Sequence, residues 1–204
     1  MTKDIYGKKI LILDFGSQYT QLIARRVREA QVYCEIHPFH VPLEKIKTFD
    51  PKGIILSGGP SSIYDKRAPI AHAGILDLNV PVLGICYGMQ YLAHALGGVV
   101  AKADEREYGN ALIKIKDFRN IFHGFNRRQE ELVWMSHGDR IEKMPKGFKS
   151  LASSKNSPVA AMADPVRKLF GVQFHPEVAH TPRGMRILKN FLFFNKISFP
   201  DFNI

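Results

Sequence analysis

The clearest structural signal in this chain is the segment Val80-Pro81-Val82-Leu83-Gly84-Ile85-Cys86-Tyr87-Gly88. Its first half is apolar, which predicts a buried strand, because strands covered on both faces are apolar along their whole length. The glycines on either side of Cys86 predict a tight turn into a helix over residues 88–96, ending at Gly97-Gly98. The segment therefore predicts a strand, a turn and a helix, with a cysteine at the turn.

Apolar runs before this segment repeat the alternation of strand and helix. Strands are predicted at residues 9–13, 32–36 and 53–56, and helices at 19–30 and 70–78. Strands and helices alternating at this spacing imply right-handed crossovers and a parallel sheet. After residue 99 the pattern changes to short strands at 111–115, 132–135 and 150–153, which we expect to be partly antiparallel. A buried strand at 168–174 and a closing helix at 183–195 complete the prediction of an α/β fold.

Cys86 has the sequence setting of a catalytic nucleophile. In a Gly-x-nucleophile-x-Gly turn, the glycines let strand and helix approach closely, and the strained backbone exposes the nucleophile. The turn also places the thiol at a helix N-terminus, where the dipole favours the thiolate. Cys34, the second of the two cysteines, lacks this setting and is expected to be a buried structural residue. Neither a disulfide nor a metal site is expected, since the sequence contains no Cys-x-x-Cys or His-Glu-x-x-His spacing.

His175 and Glu177 are the candidates for the base and the orienting carboxylate that such a nucleophile needs. Both follow the predicted strand 168–174, so His175 is expected at the end of that strand. Pro176 favours an extended conformation at His175, and residues two apart in an extended segment share a face. Glu177 is therefore expected to bind one imidazole nitrogen while the other faces Cys86.

Two backbone amides are candidates for an oxyanion hole. Gly59, within Ser57-Gly58-Gly59-Pro60, follows the third predicted strand and could turn its N–H inward. In a nucleophile turn the second donor is the N–H of the next residue, here Tyr87. The glycine patterns of phosphate-binding and dinucleotide-binding loops are absent from the sequence.

Three of these motifs, in this order and spacing, resemble those of the class I glutamine amidotransferases. They are Ser57-Gly58-Gly59-Pro60, Gly84-Ile85-Cys86-Tyr87-Gly88-Met89-Gln90 and His175-Pro176-Glu177, and the resemblance covers about residues 8–195. Residues 13–19, 106–109, 134–139 and 177–181 are similar to the branch found in GMP synthetases, although Ala179 stands where threonine is more usual. The resemblance implies a flavodoxin-like fold, with a mixed, mostly parallel sheet and helices on both faces.

The resemblance also implies a reaction, the hydrolysis of glutamine to glutamate and ammonia through a cysteinyl thioester. Cys86 would attack the side-chain amide, and His175 would protonate the leaving nitrogen and then activate water. Glu177 would hold the imidazole, while Gly59 and Tyr87 would donate the oxyanion hydrogen bonds. The expected glutamine-binding residues, the last four of them in a loop, are Gly58, Gln90, Ser136, His137, Gly138 and Asp139.

A GMP synthetase also needs an ATP-pyrophosphatase domain that adenylates xanthosine monophosphate. The Ser-Gly-Gly-x-Asp-Ser loop typical of that domain is absent from the sequence, so we expect residues 1–196 to be the amidotransferase domain and 197–204 to begin a linker. No cofactor is expected in this domain, because ATP and Mg²⁺ belong to the synthetase half. The expected partners are glutamine and that synthetase half, in the same chain or as a separate subunit.

The composition limits the other classes of function. No apolar run approaches the roughly 20 residues that cross a bilayer, and no signal peptide is recognisable, which favours a cytoplasmic location without membrane attachment. The net charge is +10, but the basic residues are scattered, so nucleic-acid binding is not expected and an acidic partner is favoured over it. Two alternatives stay open: the glutaminase of another pathway, making anthranilate or carbamoyl phosphate, and a non-catalytic partner-binding domain of the same fold.

Overall fold

The structure, a computed structural model, describes residues 9–194. The linker predicted at 197–204 lies outside the described residues. The strands are β1 (Lys9–Asp14), β2 (Tyr33–Pro38), β3 (Gly53–Leu56), β4 (Val82–Ile85), β5 (Val99–Ile115), β6 (Glu131–Lys143), β7 (Lys149–Ser153), β8 (Ala161–Asp164) and β9 (Leu169–Val172). The helices are α1 (Thr20–Glu29), α2 (Leu43–Phe49), α3 (Tyr87–Ala95) and α4 (Gly184–Phe194), with short 3₁₀ turns at Ala73–Asp77 and Asn120–Phe122.

The described strands form one sheet in the order β2-β1-β3-β4-β9-β8-β7-β5-β6. The strands from β2 to β9 in this order run parallel, and those from β8 to β6 run antiparallel to their neighbours. The predicted mixed α/β fold is confirmed. In the register of β4 and β9, Ile85 lies opposite Val172, so the segments that leave these two strands meet at the carboxyl edge of the sheet, where α/β proteins bind their ligands.

Helices cover both faces of the parallel half. In β1, Ile10 and Ile12 pack with the cluster that includes α1 and α4, whereas Leu11 and Leu13 pack with the cluster that includes α2 and α3. All four side chains are fully buried, which explains why the strand is apolar without alternation. Within residues 9–194, no helix is both long and apolar enough to span a membrane.

Several elements differ from the prediction, and strand β8 (Ala161–Asp164) was not predicted at all. The helix predicted at 70–78 is only a 3₁₀ turn at Ala73–Asp77, because Gly74 lowers helix propensity in a segment too short to nucleate readily. Helix α2 was not predicted, since Ile46 is its one fully buried position and a helical pattern is hard to detect in seven residues. Strands β5 and β6 are longer than predicted and form an extended antiparallel hairpin, and β6 includes the residues 136–139 that were expected to form a loop.

Candidate active site

Cys86 lies at the turn between β4 and α3 in a strained backbone conformation. Its φ is 51° and its ψ is −109°, a combination that non-glycine residues rarely adopt. Backbone hydrogen bonds hold it there, from Cys86 N–H to the Val172 carbonyl at 2.8 Å and from Gln90 N–H to the Cys86 carbonyl at 3.2 Å. The side chain is thereby fixed at the N-terminus of α3, as the nucleophile-turn pattern predicts.

The glycines that flank Cys86 are required by close packing. A Cβ on Gly84 would lie 2.5 Å from the Gly88 carbonyl oxygen, and a Cβ on Gly88 would lie 2.3 Å from the carbonyl oxygen of Leu56 in β3. Contacts this short do not occur between real atoms, so any other residue would push α3 away from the sheet. The pentapeptide therefore sets the distance between the cysteine and the neighbouring strand.

His175 and Glu177 form a buried pair just beyond β9. The imidazole Nδ1 lies 2.7 Å from Glu177 Oε1, and the two side chains are 5% and 0% exposed. The main chain of His175 is held at both ends, because its N–H donates to the Trp134 carbonyl and its carbonyl accepts from the Thr181 hydroxyl. The predicted contact of Glu177 with one imidazole nitrogen is present, but Pro176 and Glu177 lie in a turn and not in an extended segment. The ring of His175 has little freedom to rotate.

The surroundings of His175 favour its charged form. Burial by itself lowers the pKa of the imidazole, but hydrogen bonds to Cys86 and Glu177 and the charges of both raise that pKa to about 10. At neutral pH the ring is therefore an imidazolium in contact with the sulfur on one side and a carboxylate on the other. A protonated imidazole beside a cysteine favours the reactive, negatively charged sulfur.

A cleft of about 430 Å³ opens over Cys86. Eight of the residues predicted from the sequence line it: Gly59, Cys86, Tyr87, Gln90, Ser136, His137, Gly138 and Asp139. Gly58 lies beside them, since a Cβ at that position would be 3.1 Å from the imidazole of His175 and 3.6 Å from Cβ of Cys86. The structure thus brings together at one place all the residues that the motifs predicted.

The amides of Gly59 and Tyr87 both border the cleft. Neither amide donates a hydrogen bond to another residue in the described part of the chain. Free backbone N–H groups beside a nucleophile are the arrangement that stabilises a developing oxyanion.

The segment 136–139 is a strand rather than a loop, and His137 is not a solvent-exposed loop residue. His137 is 4% exposed, and its Nε2 lies 3.1 Å from the buried carboxylate of Glu107 on β5. Its Nδ1 donates to the Asp139 carbonyl at 2.9 Å, and Gln90 donates to the same carbonyl at 3.2 Å. This buried pair fixes the edge of the cleft, because hydrogen bonds within a low-dielectric interior are strong.

Several residues at the site were not predicted as site residues, among them Pro60, Ser61 and Ser62, which line the cleft. Arg106 and Tyr108 line the cleft from β5, and the sequence offered a signal for both in the 106–109 segment that resembles the GMP synthetase branch. Another is Gln173, whose Nε2 lies 3.8 Å from the Cys86 sulfur. No sequence pattern could have identified it, because a glutamine at the end of a buried strand has no distinctive signature. Among residues 9–194, no cluster of three or more His, Cys, Asp and Glu side chains is arranged to hold a metal ion.

Comparison with known proteins places this chain in a family. The family model for class-I glutamine amidotransferases matches residues 11–194. The chain belongs to this family. The matched residues include Cys86, His175 and Glu177.

Similar amidotransferase domains occur in longer proteins. The chain is 57% identical over 189 residues to a protein of Caldanaerobacter subterraneus and 53% identical over 184 residues to one of Heliobacterium modesticaldum, both named GMP synthase [glutamine-hydrolyzing]. These matches cover 93% and 90% of this chain but 36% of each relative. The chain therefore spans about a third of the length of these relatives.

Solved structures share the architecture of this amidotransferase domain. A protein of Thermoplasma acidophilum, described as a GMP synthase subunit, is 33% identical, with a TM-score of 0.81 over 90% of this chain and 92% of that one. A glutamine amidotransferase of Thermotoga maritima has a TM-score of 0.66 at 21% identity, over 93% of this chain and 86% of that one, and supports the fold alone.

Proposed function

We propose that this chain hydrolyses glutamine to glutamate and ammonia through a thioester on Cys86, and that the ammonia aminates xanthosine monophosphate to GMP. The observation that carries the proposal is the meeting of a strained cysteine with a buried imidazolium–carboxylate pair under a cleft. That combination suits attack on an unreactive amide, because the nucleophile, the proton donor and the orienting group are already in contact.

In the first half of the reaction, the Cys86 sulfur adds to the side-chain amide carbon of glutamine. The negative charge that develops on oxygen would be stabilised by the N–H groups of Gly59 and Tyr87. His175 gives its proton to the leaving nitrogen, the carbon–nitrogen bond breaks, and ammonia departs. Glu177 keeps the imidazole oriented throughout.

In the second half, the now neutral His175 takes a proton from water, which attacks the thioester. The carbon–sulfur bond breaks, glutamate leaves, and the thiolate–imidazolium pair is restored. The amino-acid end of glutamine would lie against Gln90 and the strand segment Ser136, His137, Gly138 and Asp139, with Gly58 at the reacting end. All of these positions except Gly58 line the cleft, which is where a small polar substrate would be held.

GMP as the eventual product is supported by the names of the longer relatives. Their additional length suits a synthetase part that binds ATP, Mg²⁺ and xanthosine monophosphate, whereas this domain needs no cofactor of its own. A reducing cytoplasm is the proposed location, because the two cysteines are both free.

The decisive experiment treats the protein with a glutamine-mimicking electrophile and locates the adduct by mass spectrometry. We expect a single adduct on Cys86, and we expect Cys86→Ser to abolish both the adduct and the release of ammonia from glutamine. Cys34→Ser is the matched control, since Cys34 is buried in the core and its thiol donates a hydrogen bond to the Ala24 carbonyl. Labelling of Cys34 instead, or ammonia release by Cys86→Ser, would contradict the proposal.

The pathway is tested separately by adding a synthetase domain from one of the longer relatives. We expect glutamine-dependent conversion of xanthosine monophosphate to GMP in the presence of ATP and Mg²⁺. Glutaminase activity that couples instead to anthranilate or carbamoyl phosphate synthesis would redirect the assignment.

A further inference from the structure

The side-chain amide of Gln173 contacts the sulfur of Cys86 but has no part in the mechanism described above. We propose that Gln173 stabilises the Cys86 thiolate by donating a hydrogen bond to it, and so holds the sulfur in its reactive state before glutamine arrives. The inference rests on the proposed function, since it concerns the same nucleophile.

The orientation of this amide suits a negatively charged sulfur. Gln173 is fully buried, its Nε2 lies 3.8 Å from Cys86 Sγ, and its Oε1 has no hydrogen-bond partner among the described residues. A glutamine amide carries two donor hydrogens and one acceptor oxygen. With the nitrogen facing the sulfur, the amide attracts a thiolate, whereas an oxygen in its place would repel one.

The groups around the sulfur favour different protonation states. The Ser136 carbonyl lies 3.5 Å from Sγ and accepts a hydrogen bond from the thiol, but it repels a thiolate, which has no proton to donate. Gln173 and the imidazolium of His175 both favour the thiolate. When the thiol proton moves from Sγ to the imidazole, the carbonyl contact becomes unfavourable, and the Gln173 amide offsets that loss.

The main chain keeps Gln173 in place. Its N–H donates to the Ala160 carbonyl at 2.9 Å, and it lies between the strand β9 and the fully buried Phe174. Because Gln173 is fully buried, removing the donor leaves the thiolate with one favourable partner fewer.

The test measures the rate at which iodoacetamide alkylates Cys86 as a function of pH, in a Cys34→Ser background where Cys86 is the single cysteine. Gln173→Met keeps the length of the side chain and removes both donors, and Gln173→Glu replaces the donor with a negative charge. We expect the midpoint of the pH–rate curve to rise in Q173M and to rise further in Q173E. Below the midpoint, alkylation should slow roughly tenfold for every whole pH step by which the midpoint rises. The rates should converge at high pH, and kcat for glutamine should fall more than KM changes.

An unchanged midpoint in folded Q173M overturns the proposal. Alkylation that is slowed equally at every pH also overturns it, because a uniform slowing indicates an effect on packing. Thermal unfolding of each variant checks its fold, and Q173E supplies the measurement if Q173M does not fold. The proposed function is judged independently on the unmutated protein and on Cys86→Ser. Glutamine hydrolysis that depends on Cys86, together with an unchanged Q173M curve, would overturn the role of Gln173 alone.

Discussion

The proton on His175 connects the geometry of the site to the pH range in which it should work. Burial disfavours the charged ring, but Cys86 and Glu177 together raise its pKa to about 10. Because the proposed mechanism gives this proton to the leaving nitrogen, kcat/KM for glutamine should stay high on the alkaline side and fall as the pH approaches 10. The pH–rate profile of the unmutated protein measures this limb directly.

Glu177→Gln should move that alkaline fall to lower pH. The substitution removes a charge and weakens a hydrogen bond that both raise the pKa of His175, and we expect kcat to drop by on the order of 10²- to 10⁴-fold. Glu35→Gln is the matched control, since Glu35 also lies 2.9 Å from a histidine two positions away, His37, but near the surface. An alkaline limb that Glu177→Gln leaves in place would contradict this role for the carboxylate.

The same histidine should make folding stability depend on pH. Its pKa in the folded protein lies above the ordinary value of 6.5, so its charge contributes stability that is fully present below about pH 6.5. That contribution is lost as the pH rises through about 10. We expect the free energy of unfolding, measured with urea, to decline over this window in the unmutated protein and to decline less in His175→Gln.

At the scale of elements, the approach of α3 to β3 depends on Gly88. A Cβ there would lie 2.3 Å from the Leu56 carbonyl oxygen. The main chain fixes the positions of both atoms, so neither can rotate away. We expect Gly88→Ala to destabilise the protein by about 3 kcal/mol or more, measured by urea unfolding. Gly138→Ala is the control, because its Cβ would meet Arg106 at 3.7 Å, an ordinary contact. Equal stability of the two variants would refute this account of the turn.

The hairpin of β5 and β6 depends on the buried pair of Glu107 and His137. Burial raises the pKa of Glu107, but hydrogen bonds to His137 and Ser154 outweigh it and lower the pKa below the usual range. Glu107→Ala would leave a buried histidine without its partner, and we expect a loss of about 3 kcal/mol in stability. The KM for glutamine should rise as well, since His137 lines the cleft.

The control for this substitution is Lys52→Ala, which breaks an exposed pair with Asp50. Removing it should change stability by less than about 1 kcal/mol and leave the KM unchanged. A Glu107→Ala variant with normal KM would show that the pair supports the sheet without shaping the cleft.

At the scale of the whole molecule, ammonia released without an acceptor is lost, so the site should respond to its partner. We expect slow glutaminase activity in isolation and a rise of about 5- to 150-fold when a synthetase domain, ATP and xanthosine monophosphate are supplied. Because this chain carries a net charge of +10, added salt should weaken the stimulation if the partner surface is acidic. Measuring ammonia release at low and high ionic strength checks both expectations, and full activity without the partner would contradict them.

The sequence by itself determined the parallel half of the sheet, the cysteine turn and the His175–Glu177 pair. Each depends on local rules: apolar runs mark doubly covered strands, glycines mark close approach, and a histidine and a glutamate two residues apart are within reach of each other. Neither α2 nor the length of β6 follows such a rule. Helix α2 has seven residues and one fully buried position, which give too little periodicity to detect. Within β6, Gly138 and Asp139 are residue types that predict a turn.

Only the tertiary structure decided which polar side chains distant from each other in the chain are partners. The contacts of His137 with Glu107, and of Gln173 with Cys86, join residues 30 and 87 positions apart in the chain. Pairing of β5 with β6 and the turn after β4 create these contacts, and no local pattern encodes them. The nucleophile and its His175–Glu177 pair can thus be read from the sequence, whereas the contacts of Gln173 and Glu107 become visible only when the strands are brought side by side.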